Sequence, residues 1–564
     1  MKKQSFKWPK PLGKQFRKFF LNEIFIVILL FSILTIWFTY PLIFVMGSSV
    51  HDEGDSVANL WLLTRNMNKA LYDRSEFFYS DDVFYPEGFY LSSGEMYIAE
   101  TMIGLPIYLL TSNPIFAYNF ILIISYILSG LSMYLLVKLY TENKYSSFLA
   151  AVIFTFCSYK LVHLFQLQLL NIQWLPFTVL FFHKMFAENR LKYAILSAVF
   201  FSLQVLSCVY YAVFTGMFLI FYFLFMIREK KNVNLQHLFV FIVLSALFIM
   251  PFYNQYLIHF KSHSIEGIAT SCIKDYFLPG DVNDFHLRLG FKAEPLGERN
   301  VFIGFTALCL SLYGIVFVKK KIITFYVLVG LLFFILSLGP KSLFSIFNNF
   351  LYSTPPLSSL RIPTRFSIMV MFSISMVAGF GIKKILSNIK DKRLQLALPI
   401  VILFLLILEY WGHFTWVSFE KMEVYDWLSE EEGDFAIIEL PNIDRHNALY
   451  LYYSSMVHKK KTYFGITTFN PDRDLEISVT KEEISNLLLE LDNSPEVVLH
   501  KEFTHNFKNI ENFTIKSYVY KFDNITSDSS WYPISRNFKY LIVHKGNFPE
   551  KFCFYTLSPI FSIL

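Results

Sequence analysis

Charged residues are scarce in this sequence. Asp, Glu, Lys and Arg together make up 17% of its 564 residues, whereas an ordinary soluble domain carries about 25%. Hydrophobic residues make up 54%, and the mean hydropathy is +0.43. These values exclude a soluble globular protein. A net charge of +6 could suggest a nucleic acid partner, but Lys and Arg lie in short clusters between apolar runs, as membrane topology requires. We therefore expect no nucleic acid partner.

Cysteine is also sparse. The five cysteines form no CxxC pair and no cluster with histidine; they are Cys157, Cys208, Cys272, Cys309 and Cys553. This arrangement does not support a disulfide framework or a structural zinc site. The first apolar run, from Ile24 to Met46, lacks the small-residue cleavage site of a signal peptide, so we expect it to be retained as a membrane anchor.

Long apolar runs, by contrast, are abundant and predict a polytopic α-helical membrane protein. Crossing a bilayer takes about 20 helical residues, and this criterion predicts about eleven transmembrane helices. The predicted spans are residues 24–46, 115–137, 145–160, 167–183, 193–207, 209–227, 236–253, 301–318, 322–338, 366–382 and 394–412. Residues 193–227 can also be interpreted as one long kinked helix.

The basic residues predict the orientation. They crowd the segment from Lys2 to Lys18 and recur in every loop that this count places on the same side as the N-terminus. Because short cytoplasmic loops are enriched in Lys and Arg, we expect a multi-pass protein of the plasma membrane with a cytoplasmic N-terminus. Residues 1–413 then form the transmembrane domain, with a first external loop at 47–114 and a middle external loop at 254–300.

Residues 414–564 differ in composition and predict a small extracytoplasmic α/β domain. Phe435–Leu440 and Tyr540–His544 are apolar runs of strand length bounded by turn residues. Lys481–Asn493 has the spacing of an amphipathic helix. A segment of this length can bury a core of its own.

Three acidic residues follow the first span directly, namely Asp52, Glu53 and Asp55. The apolar stretch after them, 57–63, is too short to cross a membrane and suits the interface. A carboxylate held there could meet a lipid head group and act as a general base; a solvated acidic turn is the alternative. A second interfacial run, Thr101–Leu110, follows Glu100, and we expect Pro106 to break it.

Two arginines lie just before a predicted span on the external side. Arg361 and Arg365 are four residues apart in a proline-rich segment. Their guanidinium groups suit the oxygens of a lipid phosphate, although Arg365 could instead extend to the membrane surface to keep its charge hydrated.

A third set of polar residues would line the same external cavity. Its candidates are Lys160, His163, Gln166, Gln168, Asn171, Gln173 and Trp174 at the external turn between two spans, together with Glu100, Tyr210, Tyr211, Lys274, Asp275, Glu298 and Arg299. Polar residues at membrane depth usually face a cavity or the interior of a helix bundle. Hydrogen bonding between helices is the alternative interpretation.

Together these features resemble the GT-C superfamily of membrane glycosyltransferases, and more closely a broad set of bacterial polytopic membrane proteins of that type. The resemblance rests on GDSVANLW at 54–61, FYPEG at 84–88, HLFQLQLLNIQWLP at 163–176, SLRIPTRF at 359–366 and VYDWL at 424–428. It implies a GT-C-like fold in which a catalytic carboxylate of the first external loop follows the first span. The family's usual acidic pair corresponds to Asp52 and Glu53, and Asp55 is an equal candidate.

The resemblance also implies a reaction. A sugar would move from a polyprenyl-phosphate donor to a glycan or lipid acceptor of the cell envelope on the outer face, with inversion at the anomeric carbon. Asp52 or Asp55 would deprotonate the acceptor, and Arg361 and Arg365 would hold the departing phosphate, with no metal and no cofactor. The alternatives are a transporter or lipid flippase, and a non-catalytic accessory protein of cell-envelope polysaccharide assembly.

Overall fold

The computed structural model describes most of the chain. The described residues are 14–52, 54–72, 77–229, 234–259, 270–280, 282–291, 297–340, 342, 344–353, 360–419, 421–440, 452–463, 487–488, 491, 497–506, 514–522 and 538–545. The predicted amphipathic helix 481–493 and the acidic residue Glu53 lie largely or wholly outside them.

Helices dominate the described residues. The first are α1 Lys14–Phe38, α2 Leu42–Val45, α3 Asp55–Tyr72, α4 Ile98–Thr111, α5 Pro114–Thr141, α6 Lys144–Thr155, α7 Ser158–Val162, α8 Leu167–Leu170 and α9 Trp174–Glu188. They are followed by α10 Leu191–Ser207, α11 Val209–Arg228, α12 Leu235–His259, α13 Asp284–Arg288, α14 Phe305–Phe317, α15 Lys321–Ser337, α16 Ser345–Tyr352, α17 Ser367–Asn388, α18 Lys392–Tyr410 and α19 Glu423–Glu430.

Within the described residues, six helical stretches are long and apolar enough to cross a bilayer. They are Pro114–Thr141, Lys144–Val162, Val209–Arg228, Leu235–Tyr253, Pro363–Asn388 and Lys392–Tyr410. Side-chain caps fix where two of them begin, because Asn113 accepts a hydrogen bond from the amide of Phe116 and Asn143 accepts one from Ser146. The prediction of a polytopic membrane protein is confirmed, while the count of eleven spans stays a prediction.

Helix boundaries depart from the sequence prediction at several places. Helix α1 ends at Phe38 rather than near residue 46, and α9 begins only at Trp174. The extended backbone of Cys208 (φ −150°, ψ 118°) separates α10 from α11, so residues 193–227 are two helices. The expectation that Pro106 breaks its helix is wrong: α4 runs through it. Pro106 removes one backbone hydrogen bond, and the rest of the helix keeps its own.

Close helix packing fixes the position of α17, which matters for the site. A methyl group on Gly381 of α17 would lie 2.2 Å from the carbonyl oxygen of Leu310 on α14. The backbones of the two helices therefore touch, as small residues allow between apolar helices.

The strands of the described residues form three sheets. The bounds are β1 Ser49–Val50, β2 Tyr79–Ser80, β3 Phe89–Tyr90, β4 Val417–Ser418, β5 Ala436–Leu440, β6 Lys461–Thr462, β7 Val497–Asn506, β8 Thr514–Phe522 and β9 Tyr540–Lys545. The largest sheet has the order β6-β5-β9-β8-β7, in which β5 is parallel to both of its neighbours and the other pairs are antiparallel. Helix α19 packs on it with a shared apolar core. The strands predicted at 435–440 and 540–544 correspond to β5 and β9, whereas the domain boundary and its side of the membrane stay predictions.

Contacts at two places, among others, join this C-terminal region to the first loop. Strand β1, next to the acidic segment, pairs with β4, and the Ser49 and Ser418 hydroxyls lie 2.7 Å apart. At the edge of the large sheet, the amide of Thr462 donates to the carbonyl of Asp82 (2.9 Å), and the amide of Tyr85 donates to the carbonyl of Thr462 (3.1 Å).

Candidate active site

A chain of hydrogen bonds joins the acidic segment to the arginine segment. Gln166 Nε2 donates to Asp55 Oδ2 (2.8 Å), and Arg365 Nη2 donates to Gln166 Oε1 (3.3 Å). These three side chains come from positions 111 and 199 residues apart in the sequence. A carboxylate and a guanidinium thus lie on either side of one glutamine amide.

Arg365 is also paired with Glu298, which in turn contacts His163. Arg365 Nη2 lies 2.7 Å from Glu298 Oε1, and His163 Nε2 lies 2.9 Å from Glu298 Oε2. The other ring nitrogen, His163 Nδ1, faces the carbonyl oxygen of Tyr159 at 2.6 Å. Both ring nitrogens of His163 thus face oxygen atoms, and the Glu298 carboxylate lies between the imidazole and the guanidinium of Arg365.

Helix α3 positions the turn that carries Gln166. Asp55 and Asn59 are four residues apart, so they lie on one face of the helix. Asn59 Nδ2 donates to the carbonyl oxygen of Phe165 (2.9 Å), the residue next to Gln166. One face of α3 therefore holds this turn through both its backbone and its side chain.

Other elements position Arg365 and Glu298. Arg365 lies in the 3-10 turn Pro363–Phe366 at the start of α17, with its guanidinium 4.7 Å from the ring centre of Tyr210. Such an approach is a cation–π contact. Next to Glu298, Arg299 forms two 3.0 Å bonds to the buried carboxylate of Asp275. The middle loop is therefore anchored directly beside the Glu298 carboxylate.

The two carboxyl groups of this constellation have opposite pKa shifts. Asp55 is accessible to solvent yet has protein on most sides, so it lies in a cleft. Desolvation raises its pKa, and the charges of Asp52 and Glu298 add to that rise. Burial would also raise the pKa of Glu298, but His163 and Arg365 outweigh it and hold that pKa well below its usual range. Asp55 is consequently the more basic carboxylate.

Asp52 and Arg361 lie beside this constellation. Asp52 Oδ2 accepts a hydrogen bond from the amide of Gly54 (2.8 Å), which turns the carboxylate back onto its own backbone. The backbone amide of Arg361 donates to the hydroxyl of Tyr210 (3.1 Å), and the Arg361 side chain is exposed. Glu53, the other acidic candidate, is not among the described residues.

Three further candidates have hydrogen-bond partners other than Asp55, Gln166 and Arg365. Tyr211 is fully buried and its hydroxyl donates to the carbonyl of Leu169 (2.9 Å). Gln168 accepts a hydrogen bond from the hydroxyl of Tyr97. Glu100 is fully buried and bonds to Asn171.

Glu95 is a carboxylate near the site that the sequence prediction missed. Its Oε2 accepts from the amide of Val209 (3.3 Å), the first residue of α11, beside Tyr210. Desolvation raises its pKa, and the positive charge of Arg365 opposes that rise. No motif surrounds Glu95 in the sequence, and its place in the first external loop was the only available signal.

The described residues contain no group of three or more His, Cys, Asp or Glu side chains that could hold a metal ion. Metal independence nevertheless stays a prediction. The chemistry available in the cleft is that of an accessible base, a fixed guanidinium and an exposed second arginine.

A solved structure shares this fold. A mutant form of the mycobacterial arabinofuranosyltransferase AftD aligns with a TM-score of 0.51 at 14% identity, over 79% of this chain and 33% of that one. Another AftD structure aligns with a TM-score of 0.48 at 14% identity, over 74% and 29%. The oligosaccharyltransferase of Archaeoglobus fulgidus aligns with a TM-score of 0.45 at 14% identity, over 78% and 62%. The chain thus spans less than two thirds of the length of each of these proteins.

The likeness to the AftD mutant structure, with its TM-score of 0.51, shows a fold of the GT-C type. The protein is a polytopic membrane protein, as the sequence resemblance implied. The chain belongs to the family described as "6-pyruvoyl-tetrahydropterin synthase related domain; membrane protein", whose model matches residues 102–417. A comparison with curated proteins gives no match.

Proposed function

We propose that this protein is an inverting membrane glycosyltransferase that moves a sugar from a polyprenyl-phosphate donor to a cell-envelope acceptor. The observation that carries the proposal is the Asp55–Gln166–Arg365 chain, with hydrogen bonds of 2.8 and 3.3 Å. A displacement at the anomeric carbon requires a base for the acceptor and a group that binds the leaving phosphate, both held in fixed positions. Asp55 and Arg365, on either side of the Gln166 amide, could supply them. The GT-C fold agrees with this reaction class but does not specify donor or acceptor.

In the proposed reaction, Asp55 takes the proton of the acceptor hydroxyl. The acceptor oxygen then forms a bond to the anomeric carbon, the bond from that carbon to the phosphate oxygen breaks, and polyprenyl phosphate leaves. Asp55 is a better candidate for the base than Asp52, because desolvation raises its pKa and its side chain is accessible. A raised pKa strengthens a carboxylate as a base near neutral pH.

The two arginines would stabilise the leaving phosphate. Exposed Arg361 suits the first contact with a lipid phosphate, whereas Arg365 is held by Glu298 and Tyr210. The contacts of Arg365 to Glu298 and Gln166 use Nε and Nη2, so among the described residues Nη1 can still meet a phosphate oxygen. Preorganised donors of this kind stabilise developing negative charge.

We also propose that the reaction takes place on the extracytoplasmic face of the plasma membrane, with about eleven spans and an extracytoplasmic α/β domain. The support is the clustering of basic residues in the loops opposite to the cleft and the five-stranded sheet beside the first loop.

The test is transfer by Asp55→Asn in membranes supplied with a radiolabelled polyprenyl-phosphate sugar. General base catalysis contributes about 10²–10⁴-fold, so we expect transfer to fall by that factor. The Asn side chain can still accept the hydrogen bond from Gln166. Because desolvation disfavours the charged form of Asp55, removal of that charge should leave the melting temperature unchanged or raise it. Asp426→Asn, at an exposed position of α19, is the matched control and retains transfer. Full transfer by Asp55→Asn would overturn the assignment of the base.

A further inference from the structure

A second polar cluster lies next to the cleft but is closed to solvent. We call it the Asn171 cluster; it comprises Glu100 of α4, Asn171 after α8, Gln173 before α9 and Gln204 of α10. All four residues are fully buried. Glu100 makes no ion pair with any of the described residues.

The orientation of every amide in the Asn171 cluster follows from its contacts. Asn171 Nδ2 faces the carbonyl of Leu167 at 3.0 Å and Glu100 Oε1 at 2.8 Å. A carbonyl only accepts, so Nδ2 is correctly placed and Asn171 Oδ1 accepts from Gln173 Nε2 (2.9 Å). Gln204 Nε2 likewise faces a carbonyl, that of Asn171 at 3.1 Å. Rotating any of these amides by 180° would bring two acceptors together.

The cluster is consequently short of hydrogen-bond donors. Two buried amide oxygens, Gln173 Oε1 and Gln204 Oε1, have no partner among the described residues. Beyond Asn171, the carboxyl of Glu100 has the hydroxyl of Ser207 as a donor, and that hydroxyl itself accepts from Trp174 Nε1 (3.2 Å). A buried acceptor without a donor is destabilising relative to a paired one, and an unpaired buried charge is more so. The cluster therefore needs an additional donor, and an ionised Glu100 would make the shortage worse.

We propose that Glu100 is a neutral carboxylic acid whose proton supplies the missing donor, and that it thereby holds the segment 163–174 in the position the cleft requires. The nearest titratable groups agree, because the carboxyl of Glu95 repels a charge on Glu100, and the hydroxyl of Tyr97 already donates to Gln168. A carboxyl kept neutral by an apolar site so that it can donate has precedents in enzymes.

Glu100 is a positioning residue on this assignment, since it acts through other side chains. Asn171 follows α8, and α8 directly follows Gln166, the amide between Asp55 and Arg365. The hydroxyl of Tyr97, three residues before Glu100, binds Gln168 of the same short helix. The beginning of α4 thus holds α8 at two points, and α8 fixes Gln166. The effect on transfer rests on the proposed function; the protonation of Glu100 does not.

Glu100→Gln and Glu100→Ala test the proposal together. Gln keeps the oxygen that faces Asn171 and replaces the acidic proton by N–H donors, so Glu100→Gln should retain the wild-type melting temperature in detergent and transfer within about threefold. Glu100→Ala leaves Asn171 without this partner, so its melting temperature should fall and transfer should drop at least about tenfold. If Glu100→Gln loses as much stability as Glu100→Ala, the site holds a charge or a bound cation and the proposal is overturned.

Infrared spectroscopy tests the protonation state of Glu100 directly. It requires neither the transfer assay nor the Glu100→Ala variant. The carbonyl stretch of a protonated carboxyl group should be present at neutral pH in the wild-type spectrum and be reduced in that of Glu100→Gln. A wild-type minus Glu100→Gln difference spectrum without that band would overturn the proposal. If the wild-type protein transfers no sugar, the proposed function fails, while the melting and infrared results still decide the state of Glu100.

Discussion

The cleft and the Asn171 cluster are built from the same two parts of the chain and differ in almost every physical property. Both combine the first loop with the segment 163–174, since Asp55 meets Gln166 in the cleft and Glu100 meets Asn171 in the cluster. The cleft is charged and open to solvent. The cluster is closed, and its amides are neutral.

The difference follows from where a charge can be stabilised. In the cleft, Glu298 is ionised because Arg365 and His163 contact it. Glu100 has no such partner among the described residues and is fully buried, so its charged form would pay the full cost of desolvation. The segment 163–174 therefore contributes both to the cleft, whose side chains are charged, and to the Asn171 cluster, in which a charge would be destabilising.

Breaking the Arg365–Glu298 pair should have the largest effect. Arg365→Met leaves the carboxylate of Glu298 with His163 alone, and loss of one partner of a buried pair costs about 3–5 kcal/mol. Transfer should fall at least about 10²-fold, as when a preorganised donor is removed. Thermal unfolding in detergent and the transfer assay measure the two effects.

A double variant separates charge pairing from catalysis. Arg365→Met with Glu298→Gln removes both charges, so most of the lost melting temperature should return while transfer stays low. Arg361→Met, at an exposed side chain, is the control that should lower transfer and leave stability unchanged. Recovery of transfer in the double variant would show that Arg365 serves only to neutralise Glu298.

The pH dependence of stability should have opposite signs for the two cleft carboxyls. The pKa of Glu298 is lowered in the folded protein, so its ionised form contributes stability above the reference pKa of 4.5 and loses it as the pH falls toward the folded value. The melting temperature of Glu298→Gln should therefore be below that of the wild type at neutral pH, and the gap should narrow in acid. Melting curves across this pH range measure it.

Asp55→Asn is the matched comparison for this experiment. The pKa of Asp55 is raised, so its ionised form costs stability above the reference value of 3.8. The melting temperature of Asp55→Asn should equal or exceed that of the wild type at neutral pH. If the melting temperatures of Glu298→Gln and Asp55→Asn both move in the same direction from that of the wild type, the pKa values of the two carboxyls are not shifted in opposite directions.

Part of this site could be predicted from the sequence. Asp55, His163, Glu298 and Arg365 were placed on one side of the membrane by the pattern of basic loops, and the structure brings them together. Apolar length alone located six of the predicted spans, which correspond to the six long apolar helical stretches among the described residues. The side of the membrane on which a loop lies and the apolar length of a span both depend on short stretches of sequence. They can therefore be predicted without knowledge of the fold.

The orientation of individual polar residues could not be predicted. Gln166, Gln168 and Asn171 look equivalent in the run QLQLLN, and an apolar run of this kind predicts one continuous helix over 167–183. Instead α8 ends at Leu170, and Asn171 (φ −81°, ψ 52°) leaves the helix. Where a helix is interrupted in this way, the directions of the neighbouring side chains do not follow the periodicity of a helix or a strand. They therefore cannot be predicted from the sequence pattern. Likewise, Asp52 and Asp55 differ in their contacts, which the sequence does not give: Asp52 accepts from the amide of Gly54, whereas Asp55 accepts from Gln166.

The smallest effect should come from loosening the contact between the first loop and the large sheet. Lys461 Nζ lies 2.8 Å from Asp81 Oδ2, with both side chains partly exposed, and such pairs contribute about 0.2–1 kcal/mol. Lys461→Ala should therefore lower transfer by no more than about threefold. The backbone bonds of Tyr85 and Thr462 remain, but their amides should exchange hydrogen faster.

Lys516→Ala is the control on the same sheet, because Lys516 pairs with Glu502 on the distant strands β7 and β8. It should change neither transfer nor exchange at Tyr85. Within the first loop, Arg65 joins α3 to the segment that contacts the sheet, because its guanidinium donates to the carbonyls of Phe77 (2.6 Å) and Tyr79 (2.9 Å). If Lys461→Ala reduced transfer as strongly as Asp55→Asn, the sheet would control the position of α3, and the cleft would depend on the C-terminal region as much as on the segment 163–174.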